Sequence, residues 1–423
     1  MRIVENLRLG EKYFFINHYS GLKIYLYPKK NYSTSYAVLG VNYGSINERY
    51  KTSSGVVKTP AGTAHYLEHK LFETEESDAF LLFSKTGASA NAYTSFDKTA
   101  YLFSCNSNLK ESLAILIDFV QNPYFTEKGV EKERGIIAQE IKMYQDSPEW
   151  VVFVNLLESL YINHPVRTDI TGSEKSISEI TPEILYDCYN NFYALQNMSL
   201  CIAGNFEPKE IFEFIENRIK IDNKNKTEAI FPFEPERVAN SFAFKKMEVI
   251  TPVFNFGFKE PVKEKFINTR SLIISEIILC VLMLKSGAMY NRLLENELIN
   301  TSDFSCEYFN GPYFASAIFS GESKDPKRTS EIILEETSNL VSKGIEANEF
   351  DRAKKSLYAE TISVFDSVSS IANTMLDFSF SGRKIFDFLE ILPELKLEEV
   401  NESLKNKFNS KLSALSVILP AAV

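Results

Sequence analysis

The chain has 423 residues, enough for roughly two to three domains with sizeable cores. Its hydrophobic content of 44% and charged content of 24% are those of an ordinary globular protein. Lys and Arg number 46 against 56 Asp and Glu, a net charge of −10 that argues against a nucleic acid or an anionic membrane as partner.

Met1 to Arg8 has no apolar core and does not read as a signal peptide. Residues 12–50 read as strands and turns, with Leu22 to Tyr27 alternating and Ser35 to Tyr43 mostly apolar. Ser53-Ser-Gly55 and Thr59-Pro-Ala-Gly62 form a loop that delivers the chain to a helix beginning near Thr63. Two strands follow, Gly87 to Thr94 and Thr99 to Cys105, and then an amphipathic helix, Leu109 to Gln121. Thr126 to Gln145 and Trp150 to Tyr161 are helical, and His164-Pro165 and Thr171-Gly172 mark a loop. Thr181 caps a helix that runs to Tyr193 with Pro182 at its first position, and Met198 to Asn205 is a strand.

A Lys/Asn-rich stretch with Pro232 and Pro235 after it reads as a linker over 222–240. Beyond it the order recurs. A strand (Val253 to Phe258) leads to helices (Asn268 to Leu284, Tyr290 to Glu297), strands (Phe304 to Tyr308, Tyr313 to Ser320) and a helix (Lys327 to Val341). A helical stretch from Asn348 through Phe386, broken near Gly382, precedes a last strand, Leu412 to Leu419. The most apolar run, Ile273 to Leu284, contains Glu276 and is too short to span a bilayer. The pattern implies an α+β duplication: two similar domains, 1–221 and 241–423, each with a sheet covered by helices. The five cysteines are dispersed without a Cys-x-x-Cys pair, as for reduced thiols in the cytoplasm.

The chemistry concentrates in His65-Tyr-Leu-Glu68-His69. On a helix, His65 and His69 share one face a turn apart, with Glu68 beside them. Two imidazoles so placed can hold one Zn²⁺, and a neighbouring carboxylate can serve as general base. Only four histidines occur in the chain, none of them after His164, so metal chemistry belongs to the first half. A third ligand is needed. His164 sits before a proline in a loop and is the weaker candidate. Glu133 and Glu140, two turns apart on one helical face, are the better one, although two glutamates at that spacing usually mark a solvated face.

The His-x-x-Glu-His order, the following Asn91-Ala-Tyr-Thr94, and Glu133 and Glu140 together resemble the pitrilysin-like inverzincin peptidases, which include insulin-degrading enzyme and the mitochondrial processing peptidase. The wording His-x-x-Glu-His-Lys-Leu-Phe-Glu is most similar to bacterial half-length members that work as paired subunits. The resemblance implies two homologous α+β domains, each a largely antiparallel sheet under helices. It implies zinc as cofactor, held by His65, His69 and Glu140, with Glu68 as the catalytic base and Glu133 supporting the catalytic site. It also implies that Asn91, Ala92 and Tyr93 lie on an edge strand that binds peptide substrate by strand addition. Complete sites in the family carry an Arg and a Tyr seven residues apart in the second half; here those positions fall on Leu294 and Thr301, with Tyr290, Arg292 and Tyr308 nearby but not at that spacing. The expectation is a cytoplasmic zinc endopeptidase acting on peptides or unstructured segments, as a heterodimer with a homologous subunit that supplies the pair. A homodimer is the lesser expectation, and the rival reading is a non-catalytic structural or peptide-binding subunit.

Overall fold

The computed structural model describes residues 1–52, 55–75, 78–221, 227–404 and 407–421. Ser53 and Ser54 of the expected loop, and 222–226 of the expected linker, lie outside the described residues.

In chain order the strands β1 (Arg2–Asn6), β2 (Glu11–Asn17), β3 (Lys23–Pro28) and β4 (Ser35–Val41) come first. A small hairpin, β5 (Arg49–Thr52) with β6 (Gly55–Lys58), leads into α1 (Thr63–Leu71) and α2 (Ala79–Thr86). Next are β7 (Ser89–Thr94), β8 (Thr99–Cys105), α3 (Leu109–Gln121), α4 (Glu127–Gln145) and α5 (Pro148–Leu160). The half closes with α6 (Glu174–Ser178), α7 (Pro182–Phe192), β9 (Met198–Gly204) and α8 (Pro208–Glu216). The second half opens on β10 (Phe242–Met247) and β11 (Val253–Glu260), then α9 (Thr269–Leu282) and α10 (Ala288–Glu295). It continues through β12 (Ser305–Gly311), β13 (Phe314–Glu322), α11 (Pro326–Lys343) and α12 (Ala347–Ser363). The last elements are α13 (Val368–Ser381), α14 (Asp387–Ile391), α15 (Leu397–Leu404) and β14 (Ser413–Pro420).

The chain forms two compact units, and the duplication is written in their sheets. Unit 1 holds a seven-stranded sheet in the order β1-β2-β3-β9-β4-β8-β7. Unit 2 holds a five-stranded sheet in the order β10-β14-β11-β13-β12. In each, one parallel pair (β3 with β9, β10 with β14) is followed by three antiparallel ones. Both are α+β sheets covered by helices, as the sequence pattern implies.

The units are not contiguous blocks of sequence. Unit 1 comprises 1–141, 169–230 and 362–386; unit 2 comprises 142–168, 231–361 and 387–423. The expected blocks, 1–221 and 241–423, therefore differ from the compact units at two helices. Helix α13, from the second half, packs on the unit 1 sheet at Gly40 of β4, where an added Cβ would stand 2.4 Å from Leu376 Cδ1. Helix α5, from the first half, packs on the unit 2 sheet at Gly257 of β11, where a Cβ would stand 3.0 Å from Leu160 Cδ1. Each half lends a helix to the other's sheet, and a glycine in the matching strand admits it. Periodicity marks a segment as helical but not which sheet it buries.

The described part of the expected linker is divided between the units: 227–230 belong to unit 1, where the Ile230 N–H donates to the Arg49 carbonyl at 2.7 Å, and 231–240 belong to unit 2. The Glu234 carboxylate accepts the backbone N–H groups of Ile162, Asn163 and His164 and pairs with buried Lys259. The helical stretch expected over Asn348 to Phe386 breaks first at Val364–Asp366, a 3-10 turn between α12 and α13, and Gly382 then caps α13 at φ 75°.

Candidate metal centre and active site

Helix α1 is seated by two interlocking glycines. Gly62, before its first turn, has φ 88°, and a Cβ there would lie 2.4 Å from the Thr171 carbonyl oxygen. Gly172 has φ 76°, and its Cβ would lie 2.5 Å from the Ala61 oxygen. Both need left-handed backbone and close approach, which only glycine tolerates without strain. Tyr66, Leu67 and Leu71 then turn into the unit 1 core. The Tyr66 hydroxyl donates to the Val130 carbonyl of α4, which ties the two helices that bear the candidate ligands.

Between them three donors converge. His65 Nε2 stands 3.6 Å and His69 Nε2 3.4 Å from the same Glu140 oxygen, Oε2. One ligand atom from each of the three lies within 4.8 Å of the other two. His69 Nδ1 donates to Glu133 Oε1 at 3.0 Å, which turns its Nε2 toward Glu140. Burial draws His69 down, but the bonds to Glu133 and Glu140 outweigh it and hold the imidazole up to about 10. The facing imidazoles of His65 and His69 drive the Glu140 carboxyl far below the ordinary range. Glu133 is also lowered, its burial outweighed by His69. Two nitrogens and one oxygen brought together in this way fit the donor set of a hydrolytic zinc site, and a cation among them would answer the same negative charge that raises His69.

Glu68 is buried beside this triad, and burial pushes its carboxyl up against the opposing pull of His65 and a hydrogen bond from Thr94. Its Oε2 accepts the Thr94 hydroxyl at 2.8 Å. Thr94 ends β7, the edge strand, which pairs on one side with β8 alone. Asn91, Ala92 and Tyr93 all lie on this edge. The Ala92 N–H donates to the Asn91 side chain at 2.8 Å, so a group facing away from the sheet is capped by a residue's own neighbour. The Tyr93 hydroxyl stands 3.5 Å from Asn373 of α13.

Comparison with known proteins gives the family. Residues 24–174 match the family model described as insulinase (peptidase family M16), and residues 179–357 the one described as peptidase M16 inactive domain. An uncharacterized zinc protease of Bacillus subtilis, YmfH, is 37% identical over 99% of both chains. The chain belongs to peptidase family M16. A solved M16-like peptidase from Alicyclobacillus acidocaldarius superposes with a TM-score of 0.93 at 31% identity, covering 99% of this chain and 100% of that one. Pitrilysin, 18% identical, shares the fold at a TM-score of 0.76 over 99% of this chain and 46% of its own. The probable mitochondrial-processing peptidase subunit beta of Schizosaccharomyces pombe is 30% identical over 43% of this chain and 39% of its own.

The remaining sequence candidates of this M16 chain are engaged elsewhere. His164 belongs to unit 2 and is fully buried: its Nδ1 accepts the Val166 N–H, so Nε2 carries the proton and donates to the Pro312 oxygen at 2.9 Å. Arg292 is paired with Glu335 and Glu336 of α11. Tyr290 is buried in the unit 2 core, and the Tyr308 hydroxyl donates to Glu260 at 2.7 Å. Leu294 and Thr301 are exposed. Sequence reasoning did not single out Tyr66 or Thr94 as site-shaping residues. Thr94 was already part of the Asn91-Ala-Tyr-Thr94 stretch that carries the resemblance, but its bond to Glu68 gains meaning only once β7 is seen against α1.

Proposed function

We propose that this chain is a zinc-dependent endopeptidase subunit that hydrolyses peptides or unstructured polypeptide segments. The convergence of His65 Nε2, His69 Nε2 and Glu140 Oε2 beside the Glu68 carboxylate carries this reading. Zinc, when bound, activates water and polarises the scissile carbonyl. His65, His69 and Glu140 would hold it, and Glu133 keeps the His69 ring turned with Nε2 toward Glu140. Glu68 has Oε2 engaged by Thr94, so Oε1 is the oxygen that takes the proton of the attacking water and passes it to the leaving amine. The edge of β7 from Asn91 to Tyr93 takes the peptide as an added strand; the Ala92 N–H exchanges its Asn91 cap for a substrate carbonyl.

Peptide hydrolysis also needs donors aimed at the oxygen that becomes negative, each worth about 10²–10³ in rate. Arg292, Tyr290 and Tyr308 all have partners within unit 2, which favours a heterodimer with a homologous subunit carrying the missing Arg and Tyr. Five free thiols fit a reducing, cytoplasmic setting, and no described helix is long and apolar enough to cross a membrane. The test is to express the chain alone and together with the product of a neighbouring homologous gene, and to follow one quenched peptide at saturating zinc. Turnover should require the pair. Equal specific activity in both preparations would reject complementation, and no turnover in either would favour the non-catalytic, peptide-binding reading.

A further inference from the structure

The β7–β8 hairpin is anchored more firmly than an edge hairpin needs to be. Ser95 donates to the Lys98 carbonyl at 2.8 Å across the turn. The 44–47 loop then clamps that turn from outside: Ser45 N–H reaches the Ser95 oxygen at 3.1 Å and Ile46 N–H the Phe96 oxygen at 2.9 Å. A Cβ on Gly44 would strike the Lys98 nitrogen at 2.5 Å, so the loop lies directly against the turn. At the mouth of this hairpin Thr94 and Thr99 are cross-strand partners.

The protons of the two hydroxyls are assigned by their neighbours. Thr99 is fully buried, and its Oγ1 donates to the Tyr43 carbonyl at 2.9 Å. Its single proton is thereby used, and the 3.5 Å separation of Thr99 Oγ1 from Thr94 Oγ1 is at the outer limit of a hydrogen bond. Thr94 has one proton as well, and an ionised carboxylate can only accept. The Thr94 hydroxyl therefore gives its proton to Glu68 Oε2, at 2.8 Å.

We propose that Thr94 is a positioning residue for the general base: its hydroxyl, held by the clamped hairpin, fixes the orientation of the Glu68 carboxylate so that one oxygen is tied and the other is aimed at the attacking water. The inference rests on the reading of Glu68 as base, and it links the strand proposed to receive the peptide directly to the group that works on it. A rotatable Glu side chain otherwise has several carboxylate orientations open to it, and misplacement of a catalytic group by about 1 Å can cost on the order of 10² in rate.

The experiment compares the zinc-loaded parent with Thr94→Val, which keeps the branched shape and removes the hydroxyl, and with Thr94→Ser, which keeps the hydroxyl and removes the methyl. Each is assayed with its partner subunit on one quenched peptide, and crystal structures of all three record the Glu68 side chain. Thr94→Val should lower kcat by about 10- to 100-fold with KM within about twofold of the parent, and with zinc content unchanged. Thr94→Ser should recover most of the loss. In the crystals Glu68 should hold one orientation in the parent and in Thr94→Ser, and leave it or split between orientations in Thr94→Val. Parental kcat in Thr94→Val, or a Thr94→Ser variant as slow as Thr94→Val, would overturn the proposal. If the parent itself fails to cleave, the peptidase reading falls, yet the crystals still decide: an unmoved Glu68 in Thr94→Val overturns the positioning role, and a displaced one supports it.

Discussion

Glu133 touches none of the three converging donors' metal-facing atoms, yet its loss should weaken zinc binding measurably. Its Oε1 accepts the His69 Nδ1 proton at 3.0 Å, with the Glu133 side chain 16% and the His69 side chain 24% exposed. The carboxyl stays below its ordinary range, so it is anionic at neutral pH and the bond is charge-assisted. Such bonds contribute about 1.5–3 kcal/mol, against about 0.5–1.5 for a neutral pair. Glu133→Gln keeps an acceptor and loses the charge, a deficit of about 1 kcal/mol or roughly fivefold in zinc affinity. Glu133→Ala loses the whole bond and lets the His69 ring turn, so the deficit should reach about 10- to 100-fold. Chelator competition at fixed pH and ionic strength reads the dissociation constants, and the melting temperature of the apo chain checks that the fold is intact. A Glu133→Ala variant with the parent's zinc affinity would refute the orienting role. Tighter binding by Glu133→Ala than by Glu133→Gln would refute the ordering argument.

Glu68→Gln should retain full zinc by elemental analysis and lose about 10²–10⁴ in turnover, since the ligands remain and the base is gone. Ala92→Pro removes the outward N–H of β7 and should raise KM for extended peptides with zinc content unchanged; an unaltered KM would count against strand addition. Gly40→Val forces a Cβ against Leu376 of α13 and should destabilise by about 1–3 kcal/mol in urea melts; a neutral effect would mean that α13 does not pack there in solution. Burial lowers His164 from 6.5 to about 4 despite its bond to Pro312. A histidine depressed in the folded state contributes stability above pH 6.5 that is lost as pH falls toward 4, here about 3 kcal/mol. Urea midpoints between pH 7 and 4 should fall more steeply for the parent than for His164→Gln, and parallel slopes would exclude this group as their source.

The candidate chemistry is legible in the residue pattern. Histidine is scarce in the chain, so a pair four residues apart with a glutamate between them stands out, and helical periodicity alone puts all three on one face of α1. The same periodicity put Glu133 and Glu140 on a common face of α4, and the recurrence of strand and helix order marked the duplication. Elements with weak signals escaped that reading. The strands β1 and β10, largely exposed along an edge, bury too little apolar surface for a regular pattern to emerge, while α2 and α8 do carry apolar faces (Ala79 and Phe83, Ile211 and Ile215) but are only eight and nine residues long.

Tertiary structure decided what local pattern could not. The resemblance names Glu140, but only the fold brings it to His65 and His69 across 71 residues of sequence, with the Tyr66 bond tying α1 to α4 beside them. It set Thr94 against Glu68, because strand end and helix face meet only after the sheet has formed. And it exchanged α5 and α13 between the two sheets, since an apolar helix stripe satisfies any complementary surface; the choice was made by Gly40 and Gly257, whose missing side chains leave room for Leu376 and Leu160.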